Sequence, residues 1–130
     1  MEVPNRLAEL HAEFCALLDD FKPTVVSVER IFFQNNIRTA VGVAQASGLA
    51  LALAAGRGIP VVQYSPSQVK SVVAGDGQAT KVQVQEMVQI LLGLAELPRP
   101  ADAADAAALA LCHLAHDPGL KQAIAGTARQ

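Results

Sequence analysis

The chain has 130 residues, 52% hydrophobic, 17% charged and 4% aromatic, with 10 Lys plus Arg against 12 Asp plus Glu and a formal net charge of -2. A chain of this length can bury about two-thirds of its unfolded surface, which argues against a disordered segment, and its acidic balance argues against a polybasic binder that coats phosphates over its whole face. The longest apolar run, Gly48 to Ala55, is too short for a bilayer, and the start lacks a basic stretch followed by an apolar one. A cytoplasmic protein with no membrane partner is expected. Cys15 and Cys112 have no C-x-x-C spacing, so they define neither a disulfide framework nor a zinc knuckle and are expected to be buried and reduced.

Pro4 sits where a helix can start, and Leu7, Leu10, Phe14, Leu17, Leu18 and Phe21 recur at helical spacing up to Asp19, Asp20 and Pro23. The β-branched run Thr24 to Val28, ending at Glu29, predicts a buried parallel strand. Ile37 to Ala55 is alanine-rich and free of proline, which predicts a long helix halted by Gly56, Gly58 and Pro60. Val61 to Tyr64 predicts a second strand. Two strands joined by a helix form a crossover unit, so the pair is expected to be parallel. Pro66 to Val73 predicts a helix capped by Ser65, Ala74 to Gln78 a glycine-bearing loop, and Thr80 to Leu92 a further helix with Val84, Met87, Val88 and Leu91 on one face. Leu97 to Pro100 reads as a stiff connector and Ala101 to His116 as a final helix. Two strands are few for a parallel sheet, and the shortage is most easily placed ahead of residue 1.

Glu29 ends an otherwise apolar strand, at the carboxyl edge where open α/β folds place their sites. It also suits a solvated strand end. Asp102 and Asp105, three apart on one helix, share a face and repel, a conflict that a divalent cation with a preference for carboxylate oxygen would reverse. Acidic residues in a first helical turn are equally accounted for by the helix dipole. Gly75 to Lys81 lacks the G-x-x-x-x-G-K spacing of a phosphate loop and follows a helix rather than a strand. His11 with Cys15, and Cys112 with His113 and His116, stand at ligand-like spacings, but ordinary packing of a helix partly buried on a sheet and of a helix end accounts for them.

Five stretches occur in order: V-S-V-E-R-I-F-F-Q-N-N (Val26 to Asn36), Q-A-S-G (Gln45 to Gly48), Y-S-P-S-Q-V-K (Tyr64 to Lys70), V-A-G-D-G-Q-A-T-K-V-Q-V (Val73 to Val84) and A-D-A-A-D-A-A-A-L-A (Ala101 to Ala110). Together they resemble the RuvC family of Holliday junction resolvases over about Leu7 to His116. The resemblance implies an α/β, RNase H-like fold, here N-terminally truncated to a parallel strand pair with a crossover helix and flanking helices. It implies a metal-dependent endonuclease that resolves four-way DNA junctions with Mg²⁺, or Mn²⁺, as cofactor. Glu29 matches the family's second acidic ligand, and Asp102 and Asp105 the third and fourth. Lys70 and Lys81 match lysines near the scissile phosphate. Phe32 matches an aromatic residue that meets bases at the junction centre, with Arg30, Asn35, Asn36 and Arg38 around it as candidate backbone contacts, although core packing also accounts for Phe32. Gly77 is expected to let the backbone approach DNA. The implied partners are junction DNA, a second copy of the chain in a homodimer, and the branch-migration motors of the pathway. The helix Ile37 to Ala55, with Gly42, Ala46 and Gly48, offers a dimer surface or packs on the chain's own sheet.

The family's opening strand carries an Asp in a D-P-G motif, the first metal ligand. Here the only D-P-G is Asp117-Pro118-Gly119, which follows the last helix and reads as a helix stop. Residues 1–116 are therefore expected to form a truncated resolvase domain with a tail at 117–130, one carboxylate short and with little or no activity. The alternatives are a fragment that binds junctions or dimerises without cutting, and a fragment without a stable fold.

Overall fold

The computed structural model describes residues 2–30 and 37–117, with the backbone alone at 37–39. Five helices and two strands follow in the order α1 (Val3–Phe21), β1 (Val26–Glu29), α2 (Ile37–Gly56), β2 (Val61–Tyr64), α3 (Pro66–Ala74), α4 (Lys81–Leu92) and α5 (Ala101–His116). The chain gathers into two compact units, Met1–Gln63 and Tyr64–Gln130, a division inside the stretch 1–116 that the sequence reads as one domain.

In the first unit α1 packs against α2. Its half-buried side chains, Leu7, Leu10, Phe14, Cys15 and Leu18, fall at three- and four-residue spacing, as the apolar period predicts. Cys15, expected to be buried, is only half-buried, because α1 buries no residue fully. The helix that holds His11 and Cys15 together lies on another helix, and the two side chains make a local contact at 3.8 Å. Lys22 ends α1 in the left-handed region at φ 46°, and its N–H returns to the Leu18 carbonyl. That exit delays the ladder: β1 begins at Val26 rather than Thr24, where the Val26 N–H donates to the Pro60 carbonyl at 3.0 Å. β1 and β2 form a parallel two-stranded sheet, as expected. α2 stops at Gly56, and Gly58 turns the chain at φ 71°. Asp19 near the end of α1 accepts two hydrogen bonds from Arg57 beyond α2, at 3.2 and 3.3 Å.

In the second unit α3, α4 and α5 pack against one another. Both α3 and α4 begin with reciprocal caps. Ser65 accepts from the Gln68 N–H while Gln68 accepts from the Ser65 N–H, and Thr80 and Gln83 repeat the arrangement. Thr80, expected as the first helical residue, is thus the cap. The core is a set of small side chains spaced by four: Val69 and Val73 on α3, Val84 and Val88 on α4, Ala108 and Cys112 on α5, with Ala79 between α3 and α4. Val88 and Cys112 are fully enclosed, and Ala104 continues the α5 row one turn earlier. Small residues at these crossings let the helix backbones approach closely, and each enclosed Val contributes about 1.5 kcal/mol or somewhat more by leaving water. Asp117 caps α5, in keeping with a helix stop there.

Candidate active site

The apolar residues of β1 are half-buried and its last residue, Glu29, is exposed, so the strand delivers a carboxylate to the sheet's carboxyl edge. Beside it a shallow pocket of about 250 Å³ is lined by Glu29, Arg30, Ala44, Ser47, Gly48, Leu51 and Gln63. Ser47 and Gly48 belong to the Q-A-S-G stretch of α2, and Gln63 is the next-to-last residue of β2. Spacing alone does not single out Ser47 or Gln63, because their relation to Glu29 arises from the pairing of β1 with β2 and the return of α2.

The other acidic candidates lie on α5. Asp102 is in the first turn and exposed, and Asp105, one turn on, is half-buried. Asp105 adjoins the enclosed Ala104, so the buried row of α5 fixes on which side of the helix this carboxylate emerges. Lys70 is half-buried on α3, and Lys81 is the exposed first residue of α4. A cation in a first helical turn opposes the helix dipole, so Lys81 stands where helix stability alone disfavours it. Gly77 sits in the loop between α3 and α4, and a Cβ there would meet Ser67 Oγ at 2.9 Å. This glycine therefore also serves the close return of the loop onto the first turn of α3. Asp76 shapes the same loop by accepting from the Gln78 N–H at 2.9 Å.

Phe32, Asn35 and Asn36 lie outside the described residues, as does the side chain of Arg38, whose backbone belongs to α2. Arg30 is exposed directly after Glu29. Carboxylate oxygens are the donors a hard divalent cation takes, so Glu29, Asp102 and Asp105 suit Mg²⁺ by donor type. Among the described residues no three His, Cys, Asp or Glu side chains are gathered as a metal-holding group. Asp102 and Asp105 share a helix face in the second unit, while Glu29 belongs to the first.

One arrangement at the other end of α5 escapes sequence reading. The Tyr64 hydroxyl shares a hydrogen bond with His113 Nδ1 at 2.8 Å, and the Tyr64 ring stacks on His116 at 5.2 Å between centroids with 29° between planes. His116 Nδ1 donates to the Cys112 carbonyl at 2.8 Å. Burial pushes the Tyr64 hydroxyl pKa up, with smaller contributions from Cys112 and Asp117, and burial alone raises that of the Cys112 thiol.

Residues 1–113 match the family described as crossover junction endodeoxyribonuclease RuvC. Over 114 residues the chain is 54% identical to the RuvC of Syntrophomonas wolfei, covering 88% of this chain and 66% of that protein. It is also 54% identical over 119 residues to the RuvC of Frankia casuarinae, with 92% and 69% covered. The chain thus spans about two-thirds of the length of the relatives it matches. Thermus thermophilus RuvC superimposes with a TM-score of 0.80 at 41% identity, covering 89% of this chain and 71% of that one. The same protein in complex with a Holliday junction substrate gives 0.80 at 42%, with 87% and 68% covered. The fold is accordingly α/β of the RNase H-like class, as the motifs imply. The chain belongs to the RuvC family.

Proposed function

We propose that this chain is the greater part of a metal-dependent endonuclease that resolves four-way DNA junctions in recombination and repair. The observation that carries this reading is the likeness to the Thermus RuvC solved with a Holliday junction, at 42% identity over 87% of this chain. In this reading Glu29, Asp102 and Asp105 hold Mg²⁺ or Mn²⁺, which supplies Lewis-acid activation of water and charge neutralisation at the leaving oxygen. Lys70 and Lys81 bring compact positive charge to the phosphate as negative charge grows on it. In the same reading a strand backbone passes Glu29 along the pocket that Arg30, Ser47 and Gln63 line. Phe32 stacks on bases that strand exchange has left unpaired, a contact that needs no particular sequence. Arg30, Asn35, Asn36, Arg38 and Gly77 meet the backbone.

Two copies cut two symmetric strands, with α2 at the dimer surface. In support, a Cβ added at Gly42 or Gly48 would meet nothing within 4 Å among the described residues, so the chain's own packing does not require these glycines. Branch-migration motors of the pathway deliver the junction. The proposed setting is the cytoplasm, where such an enzyme meets its DNA; among the described residues no helix is long and apolar enough to cross a membrane.

A polypeptide of these 130 residues alone carries three of the family's four acidic ligands. Incubated with Mg²⁺ and a four-way junction, it is expected to bind the DNA and leave it essentially uncut. The same residues behind a strand bearing Asp-Pro-Gly are expected to cut, and Glu29→Gln, Asp102→Asn or Asp105→Asn in that longer protein each to slow cutting on the order of 10³-fold. Comparable cutting by the short and extended forms would overturn the requirement for the fourth carboxylate. Failure of both to bind a junction would overturn the resolvase reading itself.

A further inference from the structure

We infer that Tyr64 is a positioning residue for the carboxylates of α5: through its hydrogen bond to His113 and its stack on His116, it fixes the rotation of that helix and so the direction in which Asp102 and Asp105 face. The inference rests on the metal-ligand reading of those two residues and adds a residue outside the ligand set.

α5 is buried along one row. Its fully enclosed residues are Ala104, Ala108 and Cys112, a row of small side chains flanked by the half-buried Leu109 and Leu111. Such a row holds the helix close without resisting a small turn about its own axis, because a methyl or thiol on a ridge has little to catch against. A carboxylate oxygen about 5 Å from the axis moves by roughly 2 Å when the helix turns by about 20°. Groups that bind or react must be held to about 0.5 Å, so the row of small side chains leaves a need for a directional contact.

Tyr64 supplies one, and it grips the helix on the side that bears the carboxylates. From Asp102 to His113, and from Asp105 to His116, the separation is eleven residues, which at about 100° each brings the second residue back to within about 20° of the first, roughly 16 Å farther along the axis. His113 therefore shares the azimuth of Asp102, and His116 that of Asp105. A hydrogen bond at 2.8 Å and a stack at 5.2 Å on two adjacent turns resist rotation in both senses. The grip is firm at the histidine end as well, since His116 is held by the Cys112 carbonyl. Tyr64 also directly precedes Ser65, the cap of α3, so the same contact ties the helix of Lys70 to the helix of the two aspartates.

Tyr64 is the chain's single tyrosine and tryptophan is absent, so tyrosine fluorescence reports this contact alone. The test measures Mn²⁺ affinity by electron paramagnetic resonance in the wild type and in Tyr64→Phe, His113→Leu, His113→Asn and Ser65→Ala, with fluorescence and thermal unfolding alongside. Tyr64→Phe and His113→Leu are expected to weaken Mn²⁺ binding by about threefold to tenfold, the range of one lost hydrogen bond. His113→Asn, whose amide can renew the bond to the phenol, is expected to restore affinity to within about twofold. Ser65→Ala lowers stability without touching the grip, and is expected to keep wild-type affinity. If Tyr64→Phe does not fold, the contrast of His113→Leu with His113→Asn decides. Equal affinity in the wild type, Tyr64→Phe and His113→Leu would overturn the positioning role and leave the ligand assignment standing. A wild type that takes up no Mn²⁺ would overturn the ligand assignment and this inference with it.

Discussion

The unit Met1–Gln63 holds two helices of 19 and 20 residues, yet among its described residues Ala54 alone is fully enclosed. The unit Tyr64–Gln130 builds from helices of 9, 12 and 16 residues and encloses three rows of side chains spaced by four. Helix length and burial therefore run in opposite directions in the two units. Three short helices with Val, Ala and Cys at their crossings approach closely enough to exclude water. A longer pair that meets along one seam leaves Phe21 76% and Leu17 50% exposed. The second unit is thus the part able to present its acidic and basic residues on a rigid frame. The first presents Glu29 from a strand edge beside an open pocket.

The largest effect that tests this comparison comes from core truncation. Val88→Ala, at a position of 0% exposure, is expected to destabilise the chain by about 2 kcal/mol in urea unfolding. Phe21→Ala deletes a far larger side chain and is expected to cost less than about 0.5 kcal/mol, because that ring is already in water. Similar costs for the two would break the comparison. A single cooperative transition in the wild type would also exclude the reading of the chain as a fragment without a stable fold.

The same contrast explains how much was legible in the sequence. The helices of the second unit were legible nearly to the residue, because Ser65 with Gln68 and Thr80 with Gln83 carry their boundaries in local chemistry, as do Gly75 and Gly93 in the left-handed region beyond their ends. Cys15, expected to be buried, is half-buried, since apolar period shows which side of α1 faces inward and not how completely another element covers it. Glu29 and the two aspartates stand out in the sequence by residue type and by resemblance. Ser47, Gln63 and the grip of Tyr64 on His113 do not, because a shared pocket and a tertiary hydrogen bond bring together residues far apart in the chain. The Tyr64 to His113 contact spans 49 positions, and no local pattern encodes it.

A smaller effect sharpens the comparison at helix starts. Ser65→Ala and Thr80→Ala each remove a reciprocal cap and are expected to cost about 1 kcal/mol. Glu2→Ala is expected to be nearly silent, because Glu2 at the start of α1 makes no side-chain cap. Hydrogen exchange resolves the two capped helices separately: faster exchange confined to the first turns of α3 and α4 is the expected pattern.

The smallest effect is a dependence on alkaline pH that belongs to the second unit. Burial holds the Cys112 thiol above its ordinary value of 9.0 and, with help from Cys112 and Asp117, holds the Tyr64 hydroxyl above 10.0. Both groups are neutral when protonated, so the folded chain keeps protons that the unfolded chain has begun to lose. Their contribution to stability is therefore complete below about pH 9 and falls as pH rises through the folded-state values. Chemical unfolding followed from pH 7 to pH 10.5 is expected to show this decline, and Cys112→Ala to flatten its earlier part. Thiol labelling separates the two units by the same logic. Cys15, half-buried on α1, is expected to react first, and Cys112, fully enclosed on α5, only when its helix opens. Equal labelling rates would mean that α5 opens as readily as α1 exposes its thiol, which would remove the rigid frame on which the placement of Asp102 and Asp105 depends.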